Sequence, residues 1–131
     1  MLKVITLVTD QPGLYEISSE VAEMVAQSEI ADGFCVVYTP DCDTAMLITS
    51  FWDPRGHVDI IDESRRMFPA RTDYRFDEDF TVAAAHTKAA ITGVSLDLPI
   101  VGNKVLLGHS EGVFLADYVG GKQRNIIVKC L

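Results

Sequence analysis

Val82-Ala83-Ala84-Ala85-His86-Thr87-Lys88-Ala89-Ala90-Ile91-Thr92-Gly93 is the stretch around which the rest of the chain is arranged. Alanine is the strongest helix former, and a glycine just past an alanine-rich run is a common stop. Asp77, Glu78 and Asp79 precede it, and a helix N-terminus favours negative charge. The spacing predicts a helix over 82–93. At about 100° per residue, Val82, His86, Ala89 and Gly93 share one face, with Ala85 and Ala90 beside them and Lys88 well round the helix. So narrow a stripe lets a second element approach closely, with an imidazole at its centre. Two roles are open for His86: a packed imidazole held by a backbone carbonyl, or a functional side chain facing a pocket.

Working outward, the chain after Gly93 reads as strands. Val94 to Val101 is the first, with Pro99 marking an edge or a bulge. Gly102-Asn103 is a hairpin signal and Lys104 to Leu107 the return. A glycine-bounded loop, 108–112, leads to a strand from Val113 to Val119, and Arg124 to Cys130 closes the chain. Before the helix, Leu2 to Thr9 and Leu14 to Ile17 read as strands. Ser18 is the expected cap of an amphipathic helix over 19–29. Phe34 to Thr39 and Thr44 to Trp52 read as strands pairing antiparallel across the Pro40–Asp43 loop. Asp53-Pro54 places a cap and a first-turn proline before a helix over 55–67, ended by Pro69. Residues 70–80 are polar and charged and read as a loop, either a solvated connector or a mobile lid. The result is one α+β domain: mostly antiparallel sheets with a helical layer.

Composition limits what such a domain does. Its 131 residues are 48% hydrophobic and 23% charged, ordinary for a globular protein. The formal charge of −8 argues against nonspecific binding to nucleic acid or to an anionic membrane. No apolar run approaches the roughly 20 residues that span a bilayer, and no signal-peptide pattern opens the chain. Cys35, Cys42 and Cys130 are odd in number and lack CxxC spacing. They are expected to be reduced thiols of a cytoplasmic protein.

Four clusters near loops carry groups suited to chemistry: Asp41-Cys42-Asp43, Asp53 with Asp59, His86 with Lys88, and His109-Ser110-Glu111-Gly112. Carboxylates with imidazoles suit a divalent metal, and a glycine-rich turn with a cation suits a phosphate. P-loop, HExxH and G-x-S-x-G motifs are all absent. Cys42 is a poor nucleophile, because the flanking acids disfavour its thiolate.

The order His86-x-Lys88, Gly93, Leu98-Pro99, Leu107-Gly108 and Arg124 resembles the YjbQ-like family, whose members are described as secondary thiamine-phosphate synthase enzymes. That family carries a His-x-Lys-Ser-Ser-x-x-Gly helix, a Gly-Thr-Trp-Gln-Gly loop and a final Gly-Pro-Arg-x-Arg. Asp53-Pro54, Asp59 and Pro69 fall where it has Asp-Pro, a helix Asp and a Pro. The chain departs where the family's His-Thr-Thr/Ser falls on Asp41-Cys42-Asp43, its Asn-Glu-Asn on Thr49-Ser50-Phe51, and its Trp-Gln on Ser110-Glu111. Lys122 stands at the family's first arginine of the last motif.

The resemblance implies β/β/α layers and a compact homotrimer. It also implies His86 and Asp59 as catalytic groups, with Lys88, Lys122, Arg124, Ser110, Glu111 and Gly112 around a small phosphorylated molecule. A divalent metal such as zinc would sit on His86, with Asp41 in place of the lost histidine. Two functional readings follow. One is a trimeric scaffold that binds a small ligand without the family's synthase activity. The other is a metal- or phosphate-dependent enzyme centred on His86.

Overall fold

The computed structural model describes residues 1–76 and 79–131. Its elements are β1 (Leu2–Thr9), β2 (Gly13–Glu16), α1 (Ser18–Ser28), β3 (Asp32–Tyr38), β4 (Thr44–Ser50), α2 (Pro54–Met67), α3 (Phe80–Thr92), β5 (Ser95–Val101), β6 (Lys104–Val105), β7 (Glu111–Asp117) and β8 (Lys122–Cys130). They form a five-stranded sheet, β1-β8-β3-β5-β6, and a three-stranded sheet, β2-β7-β4. Every ladder is antiparallel. This is the expected α+β class.

Alternation along the strands builds the core. Ile5, Val37, Ile100, Ile126 and Val128 of the large sheet meet Met46, Val113 and Leu115 of the small one, and α1 adds Val21 and Val25. The opposite face of the small sheet carries Ala45, Leu47, Ala116 and Tyr118, which pack with Ile61 of α2 and with Ala85 and Ala89 of α3. Small residues on both sides let α3 lie close to β4. The layers run large sheet, small sheet, helix pair.

Among the described residues, none of the core clusters covers the opposite face of the large sheet. Val4, Ile127 and Tyr38 stand in one row across β1, β8 and β3, and Phe34 stands opposite Pro99. Val8 is 71% exposed, Leu2 59% and Phe34 54%. Thr6, Asn125, Lys129 and Asp97 share this face, so Val4, Ile127 and Tyr38 form one apolar row between polar ones.

Several local expectations need correction. β3 and β4 do not pair: β3 lies between β8 and β5, and β4 pairs with β7 in the other sheet. The Pro40–Asp43 segment therefore carries the chain between layers, tied by a 2.6 Å hydrogen bond between the Thr39 and Thr44 hydroxyls. Ser18 does not cap α1, whose cap position is Ile17, without a side-chain cap bond. The Ser18 hydroxyl instead accepts the Val113 N–H at 2.9 Å and donates to Glu16 at 2.8 Å, joining α1 to the small sheet. Asp53 does cap α2.

The central helix starts two residues earlier than expected, capped by Asp79, whose carboxylate accepts the Thr81 and Val82 N–H groups. Asp77 and Glu78 lie outside the described residues. Gly93 ends the helix at φ +106°, a conformation that side chains rarely adopt.

The thiols follow from the same packing. Cys35 and Cys130 face each other on β3 and β8 and are buried, while Cys42 is exposed. Burial first, and then the neighbouring Cys130, push the Cys35 thiol up to about 12. A thiol-reactive dye should therefore label Cys42 alone in the native protein, and all three cysteines only after unfolding. Rapid native labelling of Cys35 would contradict this packing.

Candidate functional site

The sequence-predicted site residues fall into four separate places. Arg124 lies on the core side of β8, where the two sheets meet the Pro40–Asp43 segment. It is 2% exposed, and all its guanidinium donors point at carboxylates. Nε donates to Asp117 at 2.8 Å. Nη1 donates to Asp43 at 2.8 Å and Asp41 at 3.2 Å. Nη2 donates to Asp43 and Asp117, each at 3.0 Å. Asp117 also accepts from the Thr9 hydroxyl at 2.7 Å and from the N–H groups of Val119 and Gly120.

Burial would raise the Asp117 carboxyl, but the bonds from Arg124, Thr9, Val119 and Gly120 outweigh it and hold the pKa below its ordinary value. Burial would likewise lower Arg124, and Asp117 and Asp43 reverse that, raising it. Arg124 thus has no donor left for a phosphate. It clamps β8 of one sheet to β7 of the other. Lys122 sits beside it, its ammonium 3.6 Å from Asp43. Asp41, the expected metal ligand, is bound to Arg124.

Ser110, Glu111 and Gly112 lie at the other end of the small sheet. Ser50 pairs with Glu111 there, whereas Thr44 pairs with Asp117 at the Arg124 end. Glu111 closes its own turn by accepting the Gly108 N–H at 2.6 Å. The Ser110 carbonyl accepts the Phe51 N–H at 3.1 Å. A Cβ at Gly112 would come within 2.9 Å of the Phe114 ring. Aromatic rings gather at this end: Phe51 stacks on Trp52, which approaches His109, and His57 lies 4.6 Å from Phe114.

His86 occupies a third place. It is half-buried, and its ring meets the Phe76 ring at a tilt, centroids 4.5 Å apart. Among the described residues, no group of three or more His, Cys, Asp or Glu side chains is placed to hold a metal ion.

The fourth place holds Lys88 and Asp59. α3 turns Ala84, Ala85, Lys88 and Ala89 inward, so Lys88 and not His86 occupies the inner face. Lys88 is 8% exposed, and among the described residues it has no hydrogen-bond or ion-pair partner. Its Nζ lies 5.8 Å from the Tyr118 ring centroid. Burial, and secondarily Arg65, lower its pKa from the ordinary lysine value. Tyr118 is oriented by a 2.9 Å bond between its hydroxyl and that of Thr92.

Lys88 and Asp59 line one cleft of about 360 Å³ between α2 and α3. Sequence reasoning missed Asp117 and Tyr118. The signal for Asp117 was an acid inside the apolar run Val113–Val119.

The chain is thus a small α+β protein, an antiparallel two-sheet sandwich backed by a helix pair and clamped by a buried arginine. The chain belongs to the YjbQ-like family: the family described as "UPF0047 protein YjbQ-like" matches residues 3–131. It is 33% identical over 104 residues to a UPF0047 protein of Archaeoglobus fulgidus, covering 79% of this chain and 81% of that one. It is 28% identical over 118 residues to UPF0047 protein MJ1081 of Methanocaldococcus jannaschii, covering 90% and 84%. The crystal structure of an uncharacterised YjbQ/UPF0047 protein from Clostridium acetobutylicum superposes with a TM-score of 0.93 at 28% identity, covering 98% of this chain and 99% of that one. No helix among the described residues is long and apolar enough to cross a membrane.

Proposed function

We propose that this chain is a self-assembling YjbQ-family scaffold, trimeric as the family resemblance implies, that holds a small ligand and does not carry out the thiamine-phosphate synthase reaction. The observation that carries the reading is the exposed apolar row Val4, Ile127 and Tyr38 on the outer face of the five-stranded sheet, with Phe34 half-exposed on the same face. Burying such a face yields roughly 25 cal/mol for each Å² removed from water. A β-sheet face offers a flat, pre-ordered surface to a second copy at little entropic cost.

Two further points support a ligand-holding role over the family's reaction. The family's histidine, Asn-Glu-Asn and Trp-Gln positions hold other residues. The Arg124 guanidinium is directed at Asp117, Asp43 and Asp41.

Phe34→Glu tests the assembly. Phe34 is 54% exposed in the single chain, so the variant should fold with little loss of stability. Its sedimenting mass should fall to about one third of the wild type's, because a charge buried in an apolar contact without a partner is strongly disfavoured. An unchanged mass would place the contact elsewhere on the molecule.

A further inference from the structure

We propose that the cleft between α2 and α3 binds a small apolar molecule bearing a single carboxylate, with the Lys88 ammonium as its counter-ion. This deepens the ligand-holding reading and rests on it. The walls are Leu47, Ile60, Phe68, Ile91 and Tyr118, with Lys88 among them. The volume, about 360 Å³, falls at the small end of the range for ligand pockets. The Lys88 side chain is largely buried, and among the described residues its ammonium has no hydrogen bond or ion pair and lies over the Tyr118 ring face. An incoming carboxylate supplies the missing charge and acceptors, and the ligand's apolar part takes the walls.

The mouth sets the charge of the ligand. Asp59 and Glu63 line it and are exposed. Glu63 is paired with Arg66, while Arg65 is paired with Asp62 on the same helix. With Glu63 offset by Arg66, Asp59 is the acid left without an ion pair among the described residues, and it disfavours a doubly charged headgroup more than a monocarboxylate.

The test is calorimetric titration of hexanoate, hexyl phosphate, hexanol and inorganic phosphate into the wild type and Lys88→Met. Hexanoate should bind the wild type about tenfold or more tighter than hexanol, as a charge-assisted bond implies. Hexyl phosphate should bind more weakly than hexanoate, and inorganic phosphate should give no heat. Lys88→Met should lose the preference for hexanoate over hexanol. Its ligand-free unfolding midpoint should rise, because a methionine needs no partner.

Equal affinity for hexanoate and hexanol, hexanoate affinity untouched by Lys88→Met, or no heat from hexanoate would each overturn the site. Tighter hexyl phosphate would overturn the carboxylate assignment. Sedimentation of the same samples reads the assembly separately. A trimer without hexanoate binding removes the cleft proposal alone, and a monomer that binds hexanoate removes the assembly alone.

Discussion

Arg124→Met is expected to destabilise the protein by about 3–5 kcal/mol, because removing one partner of a buried ion pair leaves uncompensated charge. Here the remainder would be three carboxylates, Asp41, Asp43 and Asp117, within reach of one former guanidinium. Asp117 would be the worst placed, since it is fully buried. The size of the loss should depend on pH in a specified direction. The Asp117 pKa is depressed in the folded state. Its contribution is therefore complete above the unfolded carboxyl value of about 3.9 and is lost as pH falls through the lower folded value. In the variant the unpaired carboxylates lose least by being protonated. The gap between wild type and variant, read from denaturant midpoints, should be largest near neutrality and narrow below about pH 4. A gap independent of pH, or one below 1 kcal/mol, would mean that the cluster does not hold the sheets together.

Gly120→Val should approach the same severity, at about 3 kcal/mol or more, by adding backbone strain to a clash. Gly120 has φ +81°, and a Cβ there would lie 2.4 Å from the Gln11 carbonyl carbon. That neighbour is backbone and cannot rotate away. The Gly120 N–H also donates to Asp117 at 2.8 Å, so displacing the turn disturbs the Arg124 clamp. Gly121→Ala is the matched comparison. Gly121 shares a positive φ, +73°, but a Cβ there would meet nothing within 4 Å. It should cost about 1 kcal/mol, the strain alone. Equal losses at the two glycines would show that the close approach to Gln11 is not the cause.

Most of the fold was legible because its signals are local. Asp53-Pro54, Gly93 and Gly102-Asn103 each act within a turn of backbone, and each marks an element end as expected. The partnership of strands was not local. β3 and β4 are adjacent in sequence and both apolar, so a hairpin was the natural expectation. What separates them is Arg124, some eighty residues on, which holds the intervening Asp41 and Asp43.

The face of α3 was ambiguous for a different reason. A helix that is largely alanine has little amphipathic pattern, and counting set His86 at the centre of the packing stripe with Lys88 well round the helix, the reverse of what packing selects. Packing against Ala45, Ala116 and Tyr118 made the choice. Charged residues are also poor guides to site when the chain supplies its own counter-charges. Arg124 resembles a phosphate ligand in sequence and is a sheet clamp in three dimensions.

Sedimentation equilibrium of the wild-type protein at micromolar concentration tests the account most directly, because the exposed apolar row on the large sheet is its central feature. A single species of three times 14.4 kDa is the predicted result. A stable monomer of 14.4 kDa would contradict the account, leaving the apolar row of Val4, Ile127 and Tyr38 without a second copy to cover it.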